Sequence, residues 1–188
     1  MEGLNTKPLL FAPPVAWFSG IGSGRLIIAD ENIIEAQTLR NRLVYGTFQG
    51  KKQISIPLRN STLKAPYRAV EVSYAEHWNR KMVQALRTAY GKSPFYEFYG
   101  YRFENIILSG EVFLWNLNLK VLTEVFNCLK MEVNVVFEPT ECLEVNPGVN
   151  EQSYYQVFNE SQPFLSGLSI LDLIFNEGPD ARVFLMTI

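Results

Sequence analysis

The sequence predicts an α/β (or α+β) protein, a single compact domain with a mixed sheet, an N-terminal β-α-β unit, a hairpin, a helical middle and a C-terminal helix. Three observations predict it. Two apolar runs near the N-terminus, residues 9–12 and 25–29, are separated by a helix-sized gap. Residues 41–58 alternate apolar and polar around a glycine-containing turn. From Trp78 onward apolar residues recur every three or four positions, the period of a helix with one buried face. Strands and helices interleaved in this order belong around one sheet.

In chain order, Leu9-Leu10-Phe11-Ala12 is a short buried strand. Pro13 and Pro14 end it and suit the first turn of a helix through Trp17 and Phe18. Arg25–Ala29 is the second strand, and the connection favours a parallel pair. Gly20-Ile21-Gly22-Ser23-Gly24 is a turn and not a dinucleotide loop, because a strand rather than a helix follows it. Residues 41–48 and 52–58 form a hairpin about Gln49-Gly50-Lys51, with Pro57 at a strand end, and Val70, Val72 and Tyr74 mark a further strand. Trp78, Met82, Ala85, Leu86 and Ala89 make the apolar stripe of a helix ended by Gly91. Residues 94–108 are partly helical. In 111–130 only Asn116, Lys120, Thr123, Glu124 and Asn127 are set aside as a polar stripe, so that helix is mostly buried. Residues 132–137 return to strand, 138–166 form a long irregular loop within the single domain 1–188, and a last helix covers about 169–177 before Gly178-Pro179.

Composition narrows the function classes. At 188 residues with 47% hydrophobic and 19% charged side chains, the chain has the material for one core and not the profile of a disordered protein. A net charge of −2 lacks the clustered basic surface of a nucleic-acid binder, so no nucleic-acid partner is expected. No apolar run reaches the roughly 18 residues of a membrane span, and the N-terminus lacks the basic and apolar regions of a signal peptide. A cytoplasmic protein is expected. Cys128 and Cys142 have no metal-ligand spacing, no metal site is predicted, and no cofactor follows from the residues. The aromatic excess in 95–103 and 154–164 is either core mass or a stacking surface for sugars or bases.

Two segments mix large apolar residues with polar ones, Tyr90–Tyr99 and Leu168–Pro179. A buried polar group without a partner costs about 1–3 kcal/mol, so polar residues there call for partners. Lys92 and Ser93 can hold an anion at a helix start, although Ser93 with Pro94 also reads as a helix N-cap. Ser169 and Asp172 have the spacing of a capping box. Asn176 and Glu177 precede the helix-ending glycine, where an acid opposes the helix dipole and implies a partner, either an arginine or a ligand. Arg40-Asn41-Arg42 places two guanidinium forks at a strand entry, both directed to one face by alternation. His77 is the sole histidine and reads as a surface or capping residue.

These pieces, in order, resemble the WbqC-like family. The resemblance is carried by Phe11–Phe18, Leu39–Leu43, Ser73–Arg80, Ala89–Tyr99, Tyr155–Phe158 and Leu168–Pro179. It implies a bacterial protein associated with surface-polysaccharide (O-antigen) gene clusters, and a transferase placing a glycyl or other acyl group on a nucleotide-linked amino sugar. The resemblance carries over Arg40, Asn41, Arg42, Lys92, Ser93, Asn176 and Glu177 as site positions without roles. The leading reading makes Glu177 and Asn176 catalytic and has Arg40, Asn41, Arg42, Lys92, Ser93, Tyr90 and Tyr155 bind substrate. Glu177 would be a general base, Asn176 an oxyanion or amide partner, and Tyr90, Tyr96 or Tyr155 a stacking face. The other reading is a non-enzymatic module that binds carbohydrate or protein through its aromatic segments.

Overall fold

The structure is a computed structural model that describes residues 6–21, 24–30, 38–62, 64–140, 152–160 and 163–188. Strand β1 (Thr6–Pro8) leads through a 3-10 turn at Val15–Phe18 into β2 (Arg25–Ala29), and the two strands are parallel, with Thr6 opposite Ile27. Trp17 fixes this crossover by donating its indole N–H to the Pro8 carbonyl, 2.9 Å away. Strands β3 (Arg42–Thr47) and β4 (Gly50–Ser55) form an antiparallel hairpin. Helices α1 (Trp78–Tyr90), α2 (Tyr96–Ile107) and α3 (Leu114–Leu129) follow. Strand β5 (Asn134–Glu138) then returns to pair with β2 in parallel, Ile27 opposite Val136. Helices α4 (Ile170–Glu177) and α5 (Ala181–Leu185) close the chain.

The predicted class is therefore the one observed, with its parallel and antiparallel pairings divided between two sheets: β1-β2-β5 and β3-β4. The polar stripe predicted for α3 is the observed one, since Asn116, Lys120, Thr123 and Asn127 are all exposed. Residues Ile170 to Asn176 of α4 are buried without a break, so this short helix runs through the core. Phe175 has no exposed surface and touches the rings of Tyr90, Tyr96 and Phe103. The two mixed segments thus meet: the Phe95 amide donates to the Phe175 carbonyl at 3.0 Å, and Gly178 lies against Phe95. Gly178 has φ +55°, and a Cβ there would stand 2.5 Å from the Phe95 ring.

Three local expectations are corrected. Leu9–Ala12 is buried but lies past the end of β1, and Ala12 turns at φ +42° as Phe11 donates to the Leu39 carbonyl. The hairpin turns one residue early, at Phe48-Gln49, because Gly50 already pairs with Thr47, whose hydroxyl donates to the Gly50 carbonyl. Val70–Tyr74 is not a strand. Val72 and Ser73 donate to two different neighbours, Val112 and Pro57, so only isolated bridges form. His77 is, as expected, a surface residue at the N-cap position of α1, at φ +51° and without a side-chain capping bond.

Helices α1 and α2 are joined by a polar knot. Arg87 donates to both oxygens of Glu104, and the Tyr96 hydroxyl donates to the same carboxylate at 2.8 Å. The Arg87 hydrogen bonds, foremost, hold the Glu104 carboxyl below its ordinary value. A depressed carboxyl stabilises the fold above the unfolded pKa, about 4.3, and that contribution is lost as pH falls through the folded value. Acid titration of melting temperature is expected to drop less steeply below about pH 4 in Glu104→Gln than in the parent chain. Parallel curves would show that Glu104 does not govern the acid limb.

Candidate functional site

A carboxylate stands at the centre of the fold. Asp172 has no exposed surface, and one of its oxygens accepts from the Tyr154 hydroxyl at 2.7 Å and from the Gln156 amide at 2.9 Å. Gln156, equally buried, also closes the approach of residue 165: its amide donates to the Leu165 carbonyl and its carbonyl accepts from the Leu165 amide. Burial first, and then the charge of Asp172, push the Tyr154 and Tyr90 phenols well above their ordinary range, so both remain protonated donors. The capping expectation is half met. The Ser169 hydroxyl accepts from the Leu171 amide at the start of α4, whereas Asp172 turns inward to this network.

Asn176 and Glu177 lie at the opposite end of α4 and hold the same incoming segment. The Asn176 carbonyl accepts from the Val157 amide and its amide donates to the Asp172 carbonyl, while a Glu177 oxygen accepts from the Tyr155 amide. The expected partner of an acid at this helix C-terminus is an arginine or a ligand; the observed one is instead the Tyr155 backbone amide. Lys92 and Tyr155 are exposed in segments that touch this end of α4, and Ser93 is buried. Ser93 is not the N-cap of α2, which begins at Tyr96, and its buried hydroxyl has no hydrogen-bond partner among the described residues. Tyr90 is not a stacking face either, being fully buried with its hydroxyl accepting from the Gly46 amide at 2.9 Å.

The arginines stand elsewhere. Arg40 is in the turn before β3, closed by the bond from the Asn41 amide to the Thr38 carbonyl, so strand alternation does not reach it. Its own carbonyl accepts from the buried Asn118 of α3. Asn41 is buried and donates its amide to Ile56, tying the base of the hairpin. Arg42 borders a crevice of about 10 Å³ beside Gly167 and Ser169, at the N-terminal end of α4. Seven residues of helix rise about 10 Å, so Arg42 and Glu177 bracket α4 from opposite ends. Cys128 is no nucleophile, since burial pushes its thiol up to about 12. Cys142 lies outside the described residues.

A larger concavity, about 460 Å³, opens between the hairpin and α1. Register builds one wall: Tyr45 and Lys52 are directly opposed across β3 and β4, so they share a face, and Thr47 continues it. Helical spacing builds the other, with Lys81, Gln84, Ala85 and Thr88 on one stripe of α1. The turn residues Phe48 and Gln49 form the rim. The hydrogen bond from Gly46 to Tyr90 fixes the two walls relative to each other, because Gly46 lies between Tyr45 and Thr47 and Tyr90 follows Ala89. A Cβ on Gly46 would stand 2.5 Å from Phe158, so only glycine allows β3 this close to the core. Sequence reasoning missed these cleft residues. The spacing gave the apolar stripe of α1, with Ala85 and Ala89 in it, but nothing local says that a hairpin lies across the helix beside them.

Fold and site together define a small α/β protein with a buried acidic network and a surface cleft, without a membrane-length apolar helix or a metal-ligating cluster among the described residues. A family model described as the WbqC-like protein family matches residues 10–148, and the chain belongs to that family. No curated protein and no solved structure matches it.

The acidic network is a stability element in this geometry. Asp172→Ala is expected to destabilise the fold by about 1–3 kcal/mol for each donor left unpaired. Tyr154→Phe, which removes a donor and leaves the carboxylate one partner poorer, is expected to cost a similar amount. Denaturant unfolding of both variants checks this, and unchanged midpoints would remove Asp172 from the framework.

Proposed function

We propose that this protein transfers an aminoacyl or acyl group, glycyl being one candidate, to a nucleotide-linked amino sugar in surface-polysaccharide synthesis. The substrate lies in the cleft between the hairpin and α1. Family membership supports the class of chemistry, and the cleft is the observation that carries its location. Its volume falls within the roughly 300–1,000 Å³ range of small-molecule sites, and its walls offer hydroxyl, amide, ammonium and aromatic groups together. In such a transfer the sugar amine attacks the acyl carbonyl, the donor's leaving group departs, and the amine gives up a proton. No residue lining the cleft is a carboxylate, so the proton leaves to solvent unless the acceptor end of the substrate reaches Glu177, which lies outside the cleft at the end of α4 and is the carboxylate the sequence resemblance offers.

A second reading, a binding module, draws on the aromatic face of α2, where Phe98 is 64% and Tyr101 54% exposed. Mass spectrometry of the chain with nucleotide-linked amino sugars and acyl donors separates the two. The transferase reading expects an amide product. Glu177→Gln retains an oxygen able to accept from the Tyr155 amide, so it is expected to melt within about 1 kcal/mol of the parent. As a general base it would contribute on the order of a hundredfold or more in rate. No product with any donor, together with a thermal shift lost in Phe98→Ala, would favour the binding module.

A further inference from the structure

The cleft is electrically one-sided. Lys52 and Lys81 both line it, and no lining residue is acidic. Elsewhere the described cations that approach acids are paired: Arg25 with Glu138, Arg59 with Glu71, Arg68 with Asp30, Arg87 with Glu104, Arg102 with Glu124 and Lys120 with Glu111. Among the described residues, neither cleft lysine has such a partner. The Lys52 ammonium donates to the neutral Gln49 side chain, at 3.2 Å. In a chain whose net charge is −2, two like charges lining one concavity without a counter-ion form a site for an anion. They come from independent elements, β4 and α1, so the anion would be gripped across the cleft and not along one strand.

The rim adds a second recognition element. Phe48 sits in the hairpin turn, 48% exposed, and meets Phe158 edge-on at 5.2 Å. A large aromatic ring held at the mouth of a basic cleft offers a face to a planar ligand. Deeper in, burial pushes the Tyr45 phenol up, so it remains a neutral hydroxyl donor. Gln84 and Thr88 are exposed on the α1 wall.

We infer that this cleft is a nucleoside-diphosphate site, with the pyrophosphate between Lys52 and Lys81 and the base against Phe48. The inference rests on the transferase reading only for the remainder of the substrate; the binding itself stands or falls separately. It also moves anion recognition away from Arg40, Arg42 and Lys92.

Calorimetric titration of the full chain with uridine diphosphate, inorganic pyrophosphate and uridine tests it. Pyrophosphate and uridine diphosphate are expected to bind, more weakly as salt rises, and uridine far less tightly. Lys52→Met and Lys81→Met, both at exposed positions, are each expected to weaken the two anions about tenfold or more. Phe48→Ala should weaken uridine diphosphate while leaving pyrophosphate unchanged. Lys92→Met should change neither. Failure of the parent chain to bind either anion, or an equal loss in Lys92→Met, would overturn the site. If this pattern holds and no transfer product forms with any donor, the cleft assignment stands and the transferase reading falls. If the Lys52→Met, Lys81→Met double variant transfers at the parental rate, the cleft assignment falls and the transferase reading stands.

Discussion

A helix buried on every side cannot carry a carboxylate unless donors come to it, and this requirement at Asp172 organises much of the molecule. Helix α4 is enclosed by apolar residues except where Asp172 and Asn176 face inward. An isolated ionised carboxylate in such a place is prohibitively unfavourable. Tyr154 and Gln156 satisfy it, which brings the segment 152–158 onto the helix. Asn176 and Glu177 then bond the next amides of that segment, Val157 and Tyr155. Polar residues that looked chemical in isolation thus form a latch between two stretches of chain far apart in sequence.

The latch and the cleft are mechanically continuous. Tyr90 feels the charge of Asp172 and its hydroxyl meets the Gly46 amide, linking the buried network to the strand that forms one cleft wall. Phe158 packs against Gly46, Phe48 and Tyr90, so residues next to the latch also support the hairpin turn. The framework therefore sets the spacing between hairpin and α1, while the exposed lysines face whatever enters. A stability network and a recognition surface share a boundary without sharing residues.

How much of this was legible in sequence differed by kind of feature. Apolar spacing placed α1, α3 and α4 within about three residues, because a helix is a local structure whose period the chain itself displays. A parallel N-terminal pair was expected and is present, but its first strand is Thr6–Pro8, ahead of the apolar run 9–12 that the sequence pointed to. The extended residues 70–74 misled because β character in a sequence does not reveal whether one neighbour or two will receive its hydrogen bonds. Ser93 misled because an N-cap signature says nothing of a hydroxyl turned into the core.

By itself the sequence determined the positions of α1, α3 and α4, their amphipathic faces, the family and the need of Glu177 for a partner, since each of these is written in short-range pattern. Tertiary structure alone decided what that partner was. It turned Asp172 inward to Tyr154 and Gln156, separated Arg42 from Glu177 by the length of α4, and set Lys52 and Lys81 across one cleft. Those facts depend on how elements cross, and crossing is governed by packing and hydrogen-bond satisfaction between residues that no local pattern connects.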